Sequence, residues 1–266
     1  MNILVTNDDG IDSQGLWALA GAMARVGQVL VVAPDKQQSG VSASISLHSD
    51  MSIVEKPSSI PGVRAYAIGG TPSDCAFLGI RRLSQEHIDL VVSGINLGPN
   101  VGRDIPYSGT VMATLQGYFR KIPSVAVSLF YQTREEELNF SVAARFIETL
   151  ALNIKDGKMK TEAILNVNVP NISKEQIKGI VTTRAASTGY VKLSKIPGTY
   201  TIDYPFKLDD SSVKQLEEGT DVWAIHSGFI SITPLRFDIT HHDVIPTLVG
   251  DVQEMENSFL NSGDIE

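Results

Sequence analysis

The sequence contains very little cysteine, no excess of positive charge and no long apolar run. One cysteine, Cys75, is present in 266 residues, so no intrachain disulfide can form and nothing indicates an oxidising compartment. Lysine and arginine total 22 against 30 aspartates and glutamates, and the net charge is −8. This balance argues against stable nucleic-acid binding by charge alone. A small phosphate ester is still compatible with it, because a bound cation reverses the field inside one cleft.

Signals for membranes and for zinc are missing as well. No apolar run is long enough to cross a bilayer, and the first residues lack the basic and apolar regions of a signal peptide. We therefore expect a cytoplasmic location and no membrane partner. The five histidines show no HExxH or Cys/His spacing, so no motif indicates zinc.

Apolar runs alternate with helical patterns in the first half of the chain. Short apolar runs predict strands, and apolar residues that recur every three or four positions predict helices. The predicted strands are 2–6, 28–33, 90–93, 124–128 and 163–169, and the predicted helices are 13–25, 73–83, 110–120 and 139–150. This order predicts an α/β fold with a mostly parallel sheet and helices on both faces.

The second half of the chain has a different pattern. It predicts short strands at 180–183, 200–204, 221–225 and 229–232, followed by an acidic tail that is loosely held at its end. We predict a single domain over 1–266, with an α/β core at roughly 1–170 and a β-rich extension at 171–266. Hairpins with exposed edges commonly pair subunits, so this extension is a candidate for oligomerisation.

Two adjacent carboxylates follow the first predicted strand, in Asn7-Asp8-Asp9-Gly10. Ligands bind outside the carboxyl ends of strands in an open parallel sheet. Paired carboxylates at that place repel each other unless a cation is bound beside them. The alternative is that one aspartate caps the next helix while the other is solvated, but the pair favours a site for a hard cation.

Four further polar segments, 38–44, 69–75, 93–102 and 107–114, are rich in small or amide side chains. Each alone is compatible with a turn, a surface loop or a helix cap. Most follow predicted strands and would therefore lie at one edge of the sheet. Carboxylates for a cation and helix N-termini for an anion together indicate metal-assisted chemistry on a phosphate.

These segments together resemble the SurE (survival protein E) family. The similar segments are ILVTNDDG at 3–10, SG at 39–40, GTPSDC at 70–75, DLVVSGINLGPNVG at 89–102, YSGTV at 107–111 and TDVWAIHSGFISITPL at 220–235. They occur in family order along nearly the whole chain. The resemblance implies a Rossmann-like core and a phosphatase for nucleoside monophosphates, acting on 5′- and often 3′-nucleotides and in some members on short polyphosphate. It also implies a homodimer or homotetramer formed through C-terminal β-hairpins.

The resemblance also implies functional residues. One divalent cation per subunit, Mg²⁺, Mn²⁺ or similar, would be held by Asp8, Asp9, Ser39 and Asn96. Either Asp8 or Asp9 could accept the proton of the attacking water. The expected contacts to phosphate and substrate are Asn7, Gly40, Asn100, Ser108, Gly109 and Thr110. The family often has Asn and Arg where Gln37 and Gln38 stand here, so base preference and 5′ against 3′ preference stay open.

Two other functions share parts of this pattern. A receiver-like signalling domain also places paired acids after its first strand and binds Mg²⁺, but Ser93 and Gly94 stand where its phosphorylated aspartate would be. A nicotinamide-dependent oxidoreductase needs a glycine-rich turn after the first strand. Asp8 and Asp9 place negative charge where its pyrophosphate would bind, so this function is disfavoured.

Overall fold

Eleven strands are found in the computed structural model, which describes residues 1–133, 136–196, 199–203, 213 and 215–261. The strands are β1 (Asn2–Thr6), β2 (Gln28–Pro34), β3 (Ile53–Lys56), β4 (Arg64–Ile68), β5 (Leu90–Leu97), β6 (Ser124–Phe130), β7 (Ile164–Pro170), β8 (Gly179–Thr182), β9 (Lys192–Ile196), β10 (Thr199–Asp203) and β11 (Phe229–Leu235). Nine of them form one sheet in the order β3-β4-β2-β1-β5-β6-β7-β11-β8. Its β3–β4 and β7–β11 pairs are antiparallel and the others are parallel, so the predicted mostly parallel sheet is confirmed.

Helices cover both faces of this sheet, as the sequence predicts. The α-helices are α1 (Gln14–Ala24), α2 (Pro72–Leu78), α3 (Gly109–Ala113), α4 (Leu115–Tyr118), α5 (Ser141–Lys155), α6 (Asp221–His226) and α7 (Ile245–Asn261). One core lies between the sheet and helices α1 and α5. A second core on the opposite face includes Cys75 and Ala76 of α2 and Ala113 of α3. Cys75 is fully buried there as a packed small residue.

The strand order creates a switch point beside β1. On one side of β1 lie β2, β4 and the edge strand β3; the chain passes from β2 to β3, returns through β4, and then places β5 on the other side of β1. The loops that follow β1 and β5 therefore leave the sheet in different directions. Such a divergence opens a crevice at the carboxyl ends of the strands, where ligands of open α/β sheets bind.

Several sequence expectations for single elements are wrong. The expected strand at 221–225 is helix α6, whose buried residues Asp221, Val222, Ala224 and Ile225 follow helical spacing. The Thr220 hydroxyl caps this helix by accepting a hydrogen bond from the Trp223 backbone N–H at 3.2 Å. The expected single helix at 73–83 is α2 followed by a π-helix at Gly79–Leu83.

The β-rich extension at 171–266 also differs from the expectation. β8 and β11 join the main sheet, and β9 and β10 form a separate antiparallel pair. The acidic end of the chain includes helix α7, and residue 204 of the expected strand 200–204 lies outside the described residues. The chain divides into two compact units, Met1–Leu235 and Arg236–Glu266. The single-domain assignment stays a prediction.

No helix among the described residues is long and apolar enough to span a membrane. The cytoplasmic location stays a prediction.

Candidate active site

A cavity of about 380 Å³ opens at the switch point between β1 and β5. Seven of the residues expected from the sequence line it: Asp8, Asp9, Ser39, Gly40, Asn96, Asn100 and Ser108. All four expected metal ligands are among them. Asn7, Gly109 and Thr110 do not line the cavity.

The two adjacent carboxylates occupy different environments. Asp8 is buried, and burial raises the pKa of its carboxyl although a hydrogen bond from the Thr110 hydroxyl opposes this. Asp9 is partly buried, and its pKa is raised to about 7, first by burial and then by repulsion from Asp8. The Leu97 N–H donates to Asp9 Oδ2 at 3.1 Å and partly offsets this rise. The pair is thus unfavourable to ionise without a compensating positive charge.

No lysine, arginine or histidine lies among the described residues that line the cavity, whereas Asp104 adds a third carboxylate. Asp104 Oδ2 accepts a hydrogen bond from the Tyr190 N–H at 2.5 Å. Because none of the described lining residues supplies a cationic side chain to Asp8 and Asp9, the donor set fits a hard divalent cation. The described residues contain no cluster of three or more His, Cys, Asp or Glu suited to a metal ion, so such a site depends on neutral oxygens too.

Asn96 supplies one such neutral oxygen through an irregular strand end. The register of the β5–β6 pair shifts between Ser93 and Asn96, and such bulges re-aim side chains next to active sites. The Asn96 side-chain amide donates to the Gly98 carbonyl at 2.7 Å. That bond fixes the amide orientation and leaves Asn96 Oδ1 as the group available to a cation.

Ser39 and Gly40 lie on the exposed segment after β2. The Ser39 hydroxyl accepts a hydrogen bond from Gln37 Nε2 at 3.0 Å. Gly40 has a φ of +73°, a conformation that favours glycine, and nothing lies within 4 Å of the position a Cβ would take. The backbone here is accessible to a ligand.

Three expected phosphate contacts instead support Asp8 and its loop. The Asn7 amide exchanges two hydrogen bonds with the Gly10 backbone, at 3.0 and 3.2 Å, and closes the turn after β1. The Thr110 hydroxyl is fully buried and donates to Asp8. A Cβ at Gly109 would lie 2.9 Å from Asp8 Cβ, so glycine permits α3 to approach the carboxylate. The phosphate-binding roles of these residues stay predictions.

A buried amide network behind the cavity was not expected from the sequence. The Asn100 N–H donates to Asn168 Oδ1 at 2.8 Å, and the Asn100 side chain donates to Ser128 Oγ at 2.8 Å. The Asn100 carbonyl accepts from the side chains of Asn166 and Asn168, at 2.8 and 3.0 Å. These bonds fix the loop after β5 to β6 and β7. Asparagine at alternate positions of an otherwise apolar strand is the signal that could have revealed the network.

Comparison with known proteins agrees with this architecture. Residues 3–192 match the family described as Survival protein SurE. The 5′-nucleotidase SurE of Clostridium botulinum (strain ATCC 19397 / Type A) is 36% identical over 98% of this chain and 100% of the relative. The 5′-nucleotidase SurE of Dehalococcoides mccartyi (strain CBDB1) is 41% identical over 89% of each chain.

The chain belongs to the SurE family.

A solved SurE structure extends the likeness to three dimensions. The SurE protein from Aquifex aeolicus superimposes with a TM-score of 0.77 at 35% identity, covering 93% of this chain and 98% of that one. The resemblance seen in the sequence motifs is therefore confirmed. The Rossmann-like α/β fold expected for a SurE chain is confirmed as well.

Proposed function

We propose that this SurE protein is a divalent-metal-dependent 5′-nucleotidase that hydrolyses nucleoside monophosphates to nucleoside and phosphate. The observation that carries the proposal is the pair Asp8 and Asp9. Both carboxyls have raised pKa values, and both face a cavity whose described lining contains no cationic side chain. Such a pair is suited to bind a cation rather than to cap a helix. The name 5′-nucleotidase carried by the relatives supports the same activity.

The cation would be held by Asp8, Asp9, Ser39 and Asn96, with one ion, Mg²⁺, Mn²⁺ or similar, per subunit. The donor set of two carboxylates, one hydroxyl and one amide oxygen suits these hard cations. When bound, the ion supplies Lewis-acid polarisation of a phosphoryl oxygen and lowers the pKa of water.

The chain's own residues orient the reaction. A water oxygen attacks phosphorus in line, the bond from phosphorus to the ester oxygen breaks, and the leaving oxygen takes up a proton. Asp8 or Asp9 accepts the proton of the attacking water. The Thr110 hydroxyl and the Leu97 N–H hold these carboxylates in place. The Gly40 backbone N–H and the Ser108 hydroxyl, both of residues that line the cavity, would stabilise charge on the phosphoryl oxygens.

The proposed substrate range includes 3′-nucleotides and short polyphosphate. The cavity is bordered by the exposed ring of Tyr107 and by Leu97, which offer an apolar surface to a base. None of the described lining residues presents a lysine or arginine that would fix one phosphate position. We therefore expect selectivity among phosphate monoesters to be moderate.

Phosphate release from a panel of 5′- and 3′-nucleoside monophosphates tests the proposal. It should be measured in EDTA and with added Mn²⁺ or Mg²⁺, for wild type, Asp9→Asn and the matched control Asp12→Asn. Asp12 is an exposed carboxylate three residues further along the same loop. We expect metal-dependent release that Asp9→Asn lowers by about 100-fold or more and Asp12→Asn leaves unchanged. Equal release by wild type and Asp9→Asn would contradict the site.

We further propose assembly into a homodimer or homotetramer through β9 and β10. This pair forms a two-stranded sheet separate from the main sheet, and an isolated two-stranded sheet is marginally stable in water. A partner subunit would supply packing that stabilises such a sheet. Light scattering coupled to size exclusion should show a dimer or tetramer, and a variant with 192–203 replaced by a short linker should be smaller. An oligomer of unchanged size in that variant would exclude this interface.

A further inference from the structure

The segment between β2 and β3 carries the expected metal ligand Ser39 and the expected phosphate contact Gly40, but has neither helix nor strand along 35–52. Its start is tied to the β1 loop, where the Gln38 N–H donates to the Asp8 carbonyl at 2.7 Å. Its middle is tied at Ser42, whose N–H and hydroxyl donate to the Tyr107 and Pro106 carbonyls at 3.1 and 2.6 Å. The position of Ser39 therefore depends on individual hydrogen bonds rather than on a regular element.

Asp74 forms the next attachment of this segment. It belongs to the first turn of α2, and its side chain is buried with 2% exposure of the residue. Asp74 Oδ2 accepts from the Thr71 N–H at 2.9 Å and from the Ser46 hydroxyl at 2.7 Å. Asp74 Oδ1 accepts from the Ser46 N–H at 3.1 Å. Beside it, the Thr71 hydroxyl donates to the Ser44 carbonyl at 2.6 Å.

Helix capping explains only part of this arrangement. In a capping box, the third helical residue accepts a hydrogen bond from the N-cap backbone N–H, which here is the bond from Thr71 to Asp74. The two bonds from Ser46 are additional and come from a residue 28 positions earlier. No ion pair between described residues involves Asp74, so these donors are its main partners.

Helix α2, which carries Asp74, is packed firmly in the second core. Its residues Cys75 and Ala76 are fully buried against Leu30 and Val32 of β2 in the second core. Gly70 lies so close that a Cβ there would be 2.9 Å from Asp74 Oδ2. The carboxylate is thus enclosed on the helix side and joins a rigid part of the core to an irregular segment.

We propose that Asp74 is a positioning residue for the active site, which holds the segment 39–46 so that Ser39 and Gly40 face Asp8 and Asp9. This inference rests on the proposed metal site. Hydrogen bonds to a carboxylate are among the stronger ones in proteins, and partners that orient metal ligands typically change affinity by roughly 10- to 100-fold when removed.

Mn²⁺ affinity, measured by the loss of the free-ion signal in electron paramagnetic resonance, tests this role without relying on turnover. The variants are Ser46→Ala, Asp74→Asn and the double variant. Ser46→Ala removes one attachment and leaves the capping box intact, so it is informative even if Asp74→Asn fails to fold. We expect each single variant to bind Mn²⁺ roughly tenfold more weakly than wild type. The double variant should be little weaker than Asp74→Asn, because both changes remove the same contact.

Two control variants distinguish a role of Asp74 in positioning the segment 39–46 from a general effect of losing a helix cap. Ser46→Thr keeps the hydroxyl that bonds to Asp74, so this variant should bind Mn²⁺ with wild-type affinity. Ser173→Ala disrupts a capping box at the remote 3₁₀ turn Lys174–Gln176 and should leave Mn²⁺ affinity unchanged. Affinities of Ser46→Ala and Asp74→Asn within twofold of wild type would overturn the positioning role while leaving the proposed function intact. Absence of Mn²⁺ binding by wild type would overturn both.

Discussion

At the scale of single residues, the site places two neighbouring carboxylates where their ionised forms are unfavourable without a bound cation. Asp8 and Asp9 share a poorly solvated position, and Asp9 has a pKa of about 7 because of burial and the neighbouring carboxylate. A destabilised pair of this kind is typical of functional sites, where binding of a ligand relieves the strain. The sequence could predict the pair, because two acids directly follow an apolar strand. It could not predict that Thr110 would bond to Asp8 rather than line the cavity, since that depends on the approach of α3.

Asp9→Asn should stabilise the metal-free protein at high pH. The folded-state pKa of Asp9 lies above its ordinary value, so its contribution to stability is present at low pH and is lost as pH rises through about 7. In EDTA at pH 8, the free energy of unfolding should rise by on the order of 2 kcal/mol in the variant. Urea unfolding measures this difference, which should disappear toward pH 4. A loss of stability at pH 8 in EDTA would contradict the electrostatic account of the pair.

At the scale of elements, strands buried on both faces were predictable and exposed or irregular elements were not. β1, β2, β6 and β7 appear as apolar runs in the sequence. The edge strand β3 is mostly exposed, so it lacks such a run. The segment that forms α6 contains a short apolar run that resembles a buried strand, whereas the Thr220 cap and the packing of its buried residues favour a helix. The bulge that turns Asn96 toward the cavity depends on pairing with β6 and leaves no simple sequence signal.

Gly109→Ala tests the close approach of α3 to the loop after β1. The added methyl would lie 2.9 Å from Asp8 Cβ and 3.2 Å from Pro72 Cγ, so α3 or Asp8 must shift. Displacement of a catalytic group by even about 1 Å can cost about 100-fold in rate. We expect kcat/KM for a nucleoside monophosphate to fall by about 10- to 100-fold.

Gly21→Ala is the matched control for this substitution. Gly21 lies within α1, and the nearest atom to its added Cβ, Ile60 Cδ1, is 3.8 Å away. Alanine there should leave kcat/KM unchanged and stabilise the helix by about 0.5–1 kcal/mol. Full activity of Gly109→Ala would show that the contact between α3 and Asp8 is not required.

At the scale of the whole molecule, the family, the α/β class and the sheet with helices on both faces follow from the sequence motifs and apolar pattern. The extension beyond β7 does not, because β11 inserts between β7 and β8, two strands that lie far from it in the sequence. Long-range pairings of this kind are fixed by the packing of the complete sheet. The polar network of Asn100, Asn166 and Asn168 also joins separate elements; the alternating asparagines of β7 signal buried polar groups, but their partners depend on the assembled sheet.

The pH dependence of global stability should include a contribution from the partly buried His226. Burial lowers the pKa of His226 to about 4, and the Tyr190 hydroxyl lies 2.5 Å from its Nε2. Between about pH 6.5 and 4 the unfolded chain therefore binds a proton that the folded protein does not. Stability should fall as pH is lowered through this window, with His226 contributing about 2–3 kcal/mol of the fall.

Comparing wild type with His226→Gln isolates this contribution from the carboxyl groups. The variant should lose less stability between pH 7 and pH 4, as measured by urea unfolding. A glutamine at the exposed position His241 should leave the wild-type pH dependence unchanged. Identical pH profiles for wild type and His226→Gln would contradict the assignment.

Whether a divalent cation binds between Asp8, Asp9, Ser39 and Asn96 is tested most directly by locating the ion in a crystal. Crystals grown with Mn²⁺ should be measured for anomalous scattering. We expect one peak per subunit at the switch point, about 2–2.6 Å from oxygens of these four residues. A peak elsewhere, or none at this position with Mn²⁺ in excess, would contradict this expectation.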